Sequence, residues 1–329
     1  MIANGTEGGA SDRRSSAGAR PSDRRKEALV TRVLLGTDGS AEAALAARGA
    51  SDLAGRSGAE LHVVHAWDAE VRGAYMITLP GAREDWCEQQ ASETLAEQIR
   101  LIERDGGAVA GAHLRRGDAT GAICELAEEL NADLVVLGSR GLGAVRRLVL
   151  GSVSEGVVRD AACPVLVVRG GEDAWPPARV VVGEDLSEGS RTARFATAFG
   201  DLYGVQTVLV HANPPLETAH RSRVLGATRL DIEMRGTERA LMALATDLGG
   251  GSGRIPETRV VVGEAADALL DAADGGAGPT LVAVGCRGLG PLRRLAGESV
   301  SNKVLRAARG PVLVHRKHPA GGGDGVSSR

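Results

Sequence analysis

Gly138-Ser139-Arg140-Gly141 follow directly on the apolar run Asp133–Leu137, and Gly151-Ser152 bring back the same small residues ten positions after Gly141. Glycines at a strand exit let the backbone turn sharply and approach a ligand closely. A helix that starts at Gly151-Ser152 presents unpaired N–H groups and the positive end of its dipole, and Ser152 adds a hydroxyl. The chemistry this spacing offers is the binding of phosphate. Arg140, Arg146 and Arg147 could add charge, although arginines in such a loop are ordinarily solvated. Taken singly, the first two glycines read as a tight turn and Gly151-Ser152 as a plain helix cap; the full spacing at a strand end favours the phosphate reading.

Two further positions join this pattern. Asp38 ends the run Val33-Leu34-Leu35-Gly36-Thr37-Asp38, and Ala66 ends His62-Val63-Val64-His65-Ala66. Short Val/Leu runs predict strands near 32–37, 60–66, 109–115, 133–137 and 164–168. Helices are predicted between them over about 41–57, capped by Ser40, then 83–104, 120–130 and from 152 to just before 162. Strands that alternate with helices imply right-handed crossovers and a mainly parallel sheet with helices on both faces. In such sheets ligands bind outside the carboxyl ends of the strands, which is where Asp38, Ala66 and Gly138–Gly141 fall.

The whole unit occurs twice. Asp38 and Asp185, Gly138 and Gly285, Gly141 and Gly288, and Ser152 and Ser299 each stand 147 residues apart, while His65 and His211 stand 146 apart. Cys163-Pro164-Val165-Leu166-Val167-Val168 returns as Gly310-Pro311-Val312-Leu313-Val314-His315. A near-constant offset over so many landmarks marks a tandem duplication. The expected division is a disordered tail over 1–28, a first domain over 29–169, a linker over 170–177, a second domain over 178–316 and a disordered tail over 317–329.

The composition narrows the function classes. Across 329 residues the formal net charge is −3 and aromatic residues make up 2%, which argues against nucleic-acid partners that need basic patches or stacking rings, and against a membrane surface. No apolar run is long enough to span a bilayer. Cys87, Cys124, Cys163 and Cys286 lack metal-ligand or Cys-x-x-Cys spacing, as expected of reduced thiols in a cytoplasmic protein.

The G-x2-G-x9-G-S pattern from Gly138 to Ser152, the segment Val33–Ser40 and the closing run Cys163–Val168 together resemble the universal stress protein family, and the resemblance extends to both copies. It implies an α/β fold of two tandem five-stranded parallel sheets, each a flavodoxin-like, adenine nucleotide alpha-hydrolase-like sandwich. The implied ligand is ATP, with magnesium as its candidate counter-ion. By this resemblance Asp38 meets the adenine or ribose end and the Ala66 backbone meets adenine. Gly138, Ser139, Gly141, Gly151 and Ser152 take ribose and phosphates, and Arg140, Val153 and Ser154 complete the site. A turn residue that caps the first helix is an equal reading of Asp38 from its neighbours alone. The resemblance also implies pairing of the two domains along Val165–Val168 and Val312–His315, and association into a homodimer.

The second copy keeps Asp185, Ala212, Gly285, Arg287, Gly288 and Ser299 as a weaker site, but Leu186 replaces the glycine after the aspartate and Glu298 stands where the first copy has Gly151. A glutamate there repels phosphate unless it points away or Gly297 takes its place. Cys286, matching Ser139, reads as a small loop residue, with an oxidant-sensing thiol as the sharper alternative. His65 and His211 read as strand-end packing residues. The loops Asp68–Ala82 and Asn213–Gly226 are long enough to lie over the sites. No Gly-x4-Gly-Lys motif, pyrophosphatase-type loop or nucleophile–base pair is legible, so the expected function is a nucleotide-dependent stress-response regulator. A nucleotide-independent dimerising scaffold and a slow ATPase are the alternatives.

Overall fold

The computed structural model describes residues 29–68, 82–140, 150–186, 190–214, 223–250, 254–287 and 299–317. The tails, Gly141, Arg146, Arg147, Gly288, Glu298 and most of the two long loops lie outside the described residues.

The first repeat runs β1 (Arg32–Gly36), α1 (Ala41–Ser57), β2 (Glu60–Trp67), α2 (Ala82–Arg104), β3 (Gly111–Arg116), α3 (Ala119–Glu129), β4 (Leu134–Gly138), α4 (Ser152–Asp160) and β5 (Val165–Val168). The second runs β6 (Arg179–Gly183), α5 (Arg191–Tyr203), β7 (Gln206–Asn213), α6 (Arg223–Gly249), β8 (Glu257–Val262), α7 (Ala265–Asp274), β9 (Thr280–Arg287), α8 (Val300–Ala307) and β10 (Val312–Lys317). Strand order is β3-β2-β1-β4-β5-β10-β9-β6-β7-β8 in one sheet. Every pairing is parallel except β5 with β10, where Leu166 faces Leu313 and Val165 faces Val314 across an antiparallel ladder.

Strand alternation sorts the apolar residues into two cores. Val33, Leu35, Leu61, Val63, Leu134, Val136, Leu166 and Val168 face α1 and α2, whereas Leu34, Val64, Val135, Leu137, Val165 and Val167 face α3 and α4. Helix α1 lies close on the sheet because its buried stripe is small: Ala43, Ala46, Ala47, Ala50 and Ala54, with Leu53 as its one large buried residue. Full burial of Leu53 contributes roughly 2 kcal/mol. The Ser40 side chain accepts from Ala43 N at the start of the helix, and Gly58 closes it at φ 71°.

The expected linker is packed rather than loose. It holds a single 3-10 turn at Glu172–Ala174. Trp175 then meets Phe199 and Tyr203 of α5 edge-on, and its Nε1 donates to Asp52 of α1 at 2.9 Å. Arginine side chains mirror each other across the β5–β10 ladder: Arg169 donates to Leu305 O near the end of α8, and Arg316 Nη1 donates to Asp160 O and Ala161 O at the end of α4. Cations suit these positions, since helix carboxyl ends carry unpaired carbonyls.

Candidate functional site

In the first repeat, β1 leads through α1 to β2 on one side, while β4 leads through α4 to β5 on the other. The two chains part at the carboxyl ends of β1 and β4 and leave a cleft of about 310 Å³. Gly36, Thr37, Asp38, Ala43, Ala66, Ala119, Ile123, Leu137, Gly138, Arg140 and Ser152–Ser154 line it. Residues far apart in sequence, expected to act together, thus share one cavity.

Asp38 combines a turn with a place in the cleft wall. Its Oδ1 accepts from Ser40 N at 3.0 Å, a turn that leads into α1, and the residue also lines the cleft. Behind it the Thr37 hydroxyl accepts from Gly39 N and donates to Gln98 on α2. His65 Nδ1 lies 2.7 Å from Thr37 O, and His211 Nδ1 lies 2.7 Å from Glu184 O, so both histidines tie neighbouring strand ends together.

Ser139 is 3% exposed. Its N–H donates to Val168 O and its carbonyl accepts from Gly151 N, which fixes the chain leaving β4 against the start of α4. Ser154 Oγ donates to Gly138 O at 2.8 Å and adds a second tie. Helix α4 has Gly151 as its N-cap, in extended backbone with no side-chain cap. The N–H groups of Ser152, Val153 and Ser154 consequently open the helix without a side-chain acceptor among the described residues, and all three residues line the cleft. Such a helix start takes an anion.

Gly138 lines the cleft and also has a packing role. A Cβ built on it would come within 2.7 Å of the Glu42 carbonyl and 3.0 Å of Ala43 N. Its missing side chain lets the first turn of α1 approach β4. The sequence reading had not singled out Glu42. Its carboxylate accepts from Arg140 Nη2 at 2.8 Å and from Ser139 Oγ at 3.4 Å. Arg169 stands beside this pair, and burial, then the Arg140 charge, lowers its affinity for a proton while Glu42 opposes them. An acid in a first helical turn reads from sequence only as a favourable dipole contact.

The equivalent residues of the second repeat are arranged differently. Gly285, Cys286 and Arg287 lie in β9, opposite His315, Arg316 and Lys317 of β10, and not in a loop as the pattern implied. Cys286 is therefore a strand residue. Ser299 is the N-cap of α8, and its hydroxyl accepts from Asn302 N at 3.2 Å. Ala212 ends its run within β7, opposite Val261. Asp185 follows β6. Two other thiols, Cys124 and Cys163, are each pushed up to about 11, chiefly by burial, which leaves them protonated near neutral pH.

A further cluster that sequence reading passed over lies on the sheet face covered by α3. His62 Nδ1 is 3.1 Å from His113 Nε2 across β2 and β3. Burial and then the neighbouring His62 lower the His113 proton affinity.

Comparison with known proteins finds the same duplication. The model of the universal stress protein family matches residues 30–169 and again 178–316. A universal stress protein of Mycobacterium tuberculosis (strain ATCC 25618 / H37Rv) is 36% identical over 298 residues, spanning 87% of this chain and 97% of that protein. One from Mycolicibacterium smegmatis is 30% identical over 310 residues, spanning 86% and 96%. In fold, the chain is similar to the crystal structure of a universal stress protein from Archaeoglobus fulgidus, with a TM-score of 0.65 at 21% identity over 88% of this chain and 99% of that one.

Proposed function

The chain belongs to the universal stress protein family, and from that premise we propose that its first repeat binds ATP and that occupancy of this cleft makes the protein a nucleotide-dependent stress-response regulator. One observation carries the reading: Asp38, Ala66, Gly138, Arg140 and the uncapped helix start Ser152–Ser154 converge on one cavity at the carboxyl ends of parallel strands.

The residues present fit such a ligand. The apolar wall of Ile123, Leu137 and Ala66 suits an adenine ring, and Asp38 can accept from ribose hydroxyls. The N–H groups of Ser152, Val153 and Ser154 would hold phosphate oxygens, with Gly151 and the Ser152 hydroxyl beside them. Arg140 supplies the charge. Among the described residues no three His, Cys, Asp or Glu side chains gather as metal ligands; magnesium would therefore arrive on the phosphates and keep its waters. The bound nucleotide supplies negative charge and an aromatic base, and the chain's part is to hold it. Hydrolysis, where it occurs, would be slow turnover by water.

The second repeat, with Asp185, Ala212, Gly285, Arg287, Gly288 and Ser299, is the weaker site. Its strand β9 and its capped α8 support the scaffold reading for that half. The antiparallel β5–β10 ladder supports pairing of the two domains within one chain, with homodimerisation as a further step. Among the described residues no helix is long and apolar enough to cross a membrane; the cytoplasm is the compartment proposed.

The test is mass spectrometry of nucleotide released from the purified protein, with equilibrium dialysis against labelled ATP. About one ATP per chain is expected. No binding at millimolar ATP would remove the reading.

A further inference from the structure

Beside the cleft, paired with the Arg140 that lines it, stands an anion of the protein's own. Glu42 sits in the first turn of α1 and reaches across to the segment that leaves β4, 97 residues away for Ser139 and 98 for Arg140. Each of its carboxylate oxygens takes a separate donor, Oε1 from Arg140 Nη2 at 2.8 Å and Oε2 from Ser139 Oγ at 3.4 Å. The ion pair is sheltered, with side-chain exposures of 24% and 25%. Ser139 is buried, and its backbone is pinned to Val168 and Gly151. The Glu42 backbone is equally fixed, because it packs on Gly138 at a distance that no Cβ would allow. The Ser139 and Glu42 backbones that carry the contact are thus both held in place, which distinguishes it from a fully exposed surface pair.

We propose that Glu42 is the specificity-determining residue of this cleft: an internal carboxylate that occupies the Ser139 and Arg140 donors, and that the phosphates of a ligand must displace. The inference rests on the adenine-nucleotide reading of the cleft and deepens it.

A neutral ligand such as adenosine can take the apolar wall and Asp38 and leave the Glu42 contacts in place. A polyphosphate takes those donors, and what it gains is the difference between its own charge-assisted bonds and those that Glu42 gives up. The displaced carboxylate also remains near the incoming negative charge. Affinity along the series from adenosine to ATP therefore rises less steeply than the donors alone would allow.

Isothermal titration of the full chain with ATP and with adenosine, at one salt concentration, tests this in the wild type, Glu42→Gln and Glu42→Asp. Glu42→Gln keeps the shape and removes the charge; ATP affinity is expected to rise about tenfold, with adenosine changed less than about twofold. Glu42→Asp withdraws the carboxylate by one methylene but keeps the acid at the helix start. It should shift ATP in the same direction by a smaller factor, and it decides the matter if the Gln variant does not fold. An ATP affinity that falls would mean that Glu42 merely positions Arg140 for phosphate, and it would overturn the proposal. So would an unchanged ATP affinity, or an equal gain for adenosine. A wild type that binds neither ligand sinks the nucleotide reading itself and this inference with it; a wild type that binds both, with an ATP-to-adenosine ratio that the variants do not move, sinks only the role of Glu42.

Discussion

The two repeats agree where they build the core and part where they build the site. Their helices α1 and α5 end alike, on Gly58 at φ 71° and Gly204 at φ 68°. They begin differently: α1 has 17 residues and α5 has 13, so the second helix starts about one turn later, after Ser190. After the strand-end aspartate, Gly39 has φ 76° and Leu186 has φ 56° in the same left-handed region. Strand β4 stops at Gly138, whereas β9 continues two residues past the equivalent Gly285, in register with β10. Helix α4 opens on an uncapped glycine, and α8 opens on a serine that already satisfies one of its N–H groups. Strand interiors are held by two packed faces and tolerate little change, whereas strand ends and helix starts carry little core and can diverge. One copy of the fold can thus keep an uncapped helix start beside its strand ends while the other caps its own.

The comparison can be broken most sharply at Gly151. Gly151→Glu places a carboxylate and a Cβ at the start of α4, imitating the residue found in the second copy, and should lower ATP affinity at least a hundredfold, or about 2.7 kcal/mol, by equilibrium dialysis. Unchanged binding would mean that the first-repeat loop is not the site.

Next in size is the left-handed residue. Gly39→Leu meets both an unfavourable φ and Thr94 Cγ2, 2.8 Å from the built Cβ; it should destabilise the protein by about 2 kcal/mol in urea unfolding. Leu186→Gly relieves strain but loses packing and frees the unfolded chain, so it should change stability by less than about 1 kcal/mol. Equal costs would erase this distinction between the repeats.

Smaller again is the helix cap. Ser299→Ala removes the acceptor of Asn302 N and should cost about 1 kcal/mol, while Ser152→Ala, which caps nothing, should cost less than about 0.5 kcal/mol. The same urea titration reads both.

The smallest effect concerns the His62–His113 contact, whose positions correspond to Val208 and Arg259 in the second repeat by strand register. The folded state lowers the His113 proton affinity below the usual value near 6.5. The unfolded chain then binds more protons in the window beneath that value. Stability from this contact is present above pH 6.5 and is lost as pH falls through the lowered value. A His113→Leu variant should unfold with a flatter pH dependence; an unchanged profile would assign the acid sensitivity elsewhere.

Much of this architecture could be read without coordinates. Alternation of Val/Leu strands with Ala-rich helices is a local pattern, because side-chain direction follows from periods of 2 and 3.6. It located every strand of the first repeat to within about two residues, and the offset between Asp38 and Asp185 exposed the duplication. The Ser40 cap, too, was legible from its neighbours. The glycines were harder: nothing around Gly138 says that its missing side chain accommodates the backbone of Glu42. Nor does Gly285-Cys286-Arg287 announce a strand, since its pairing depends on His315–Lys317 about thirty residues on.

By itself, then, the sequence determined the repeated parallel α/β unit, the strand ends that line the cleft and the start of α4 at Gly151-Ser152, because each is set by residues close together in the chain. Only the tertiary structure decided that Glu42 would share the Ser139 and Arg140 donors, that Trp175 would dock its linker on α5 and Asp52, and that β5 would meet β10. The Trp175 contact with α5 apart, those contacts join residues from about 100 to nearly 150 positions apart, and their geometry exists only once helices and strands have packed against one another.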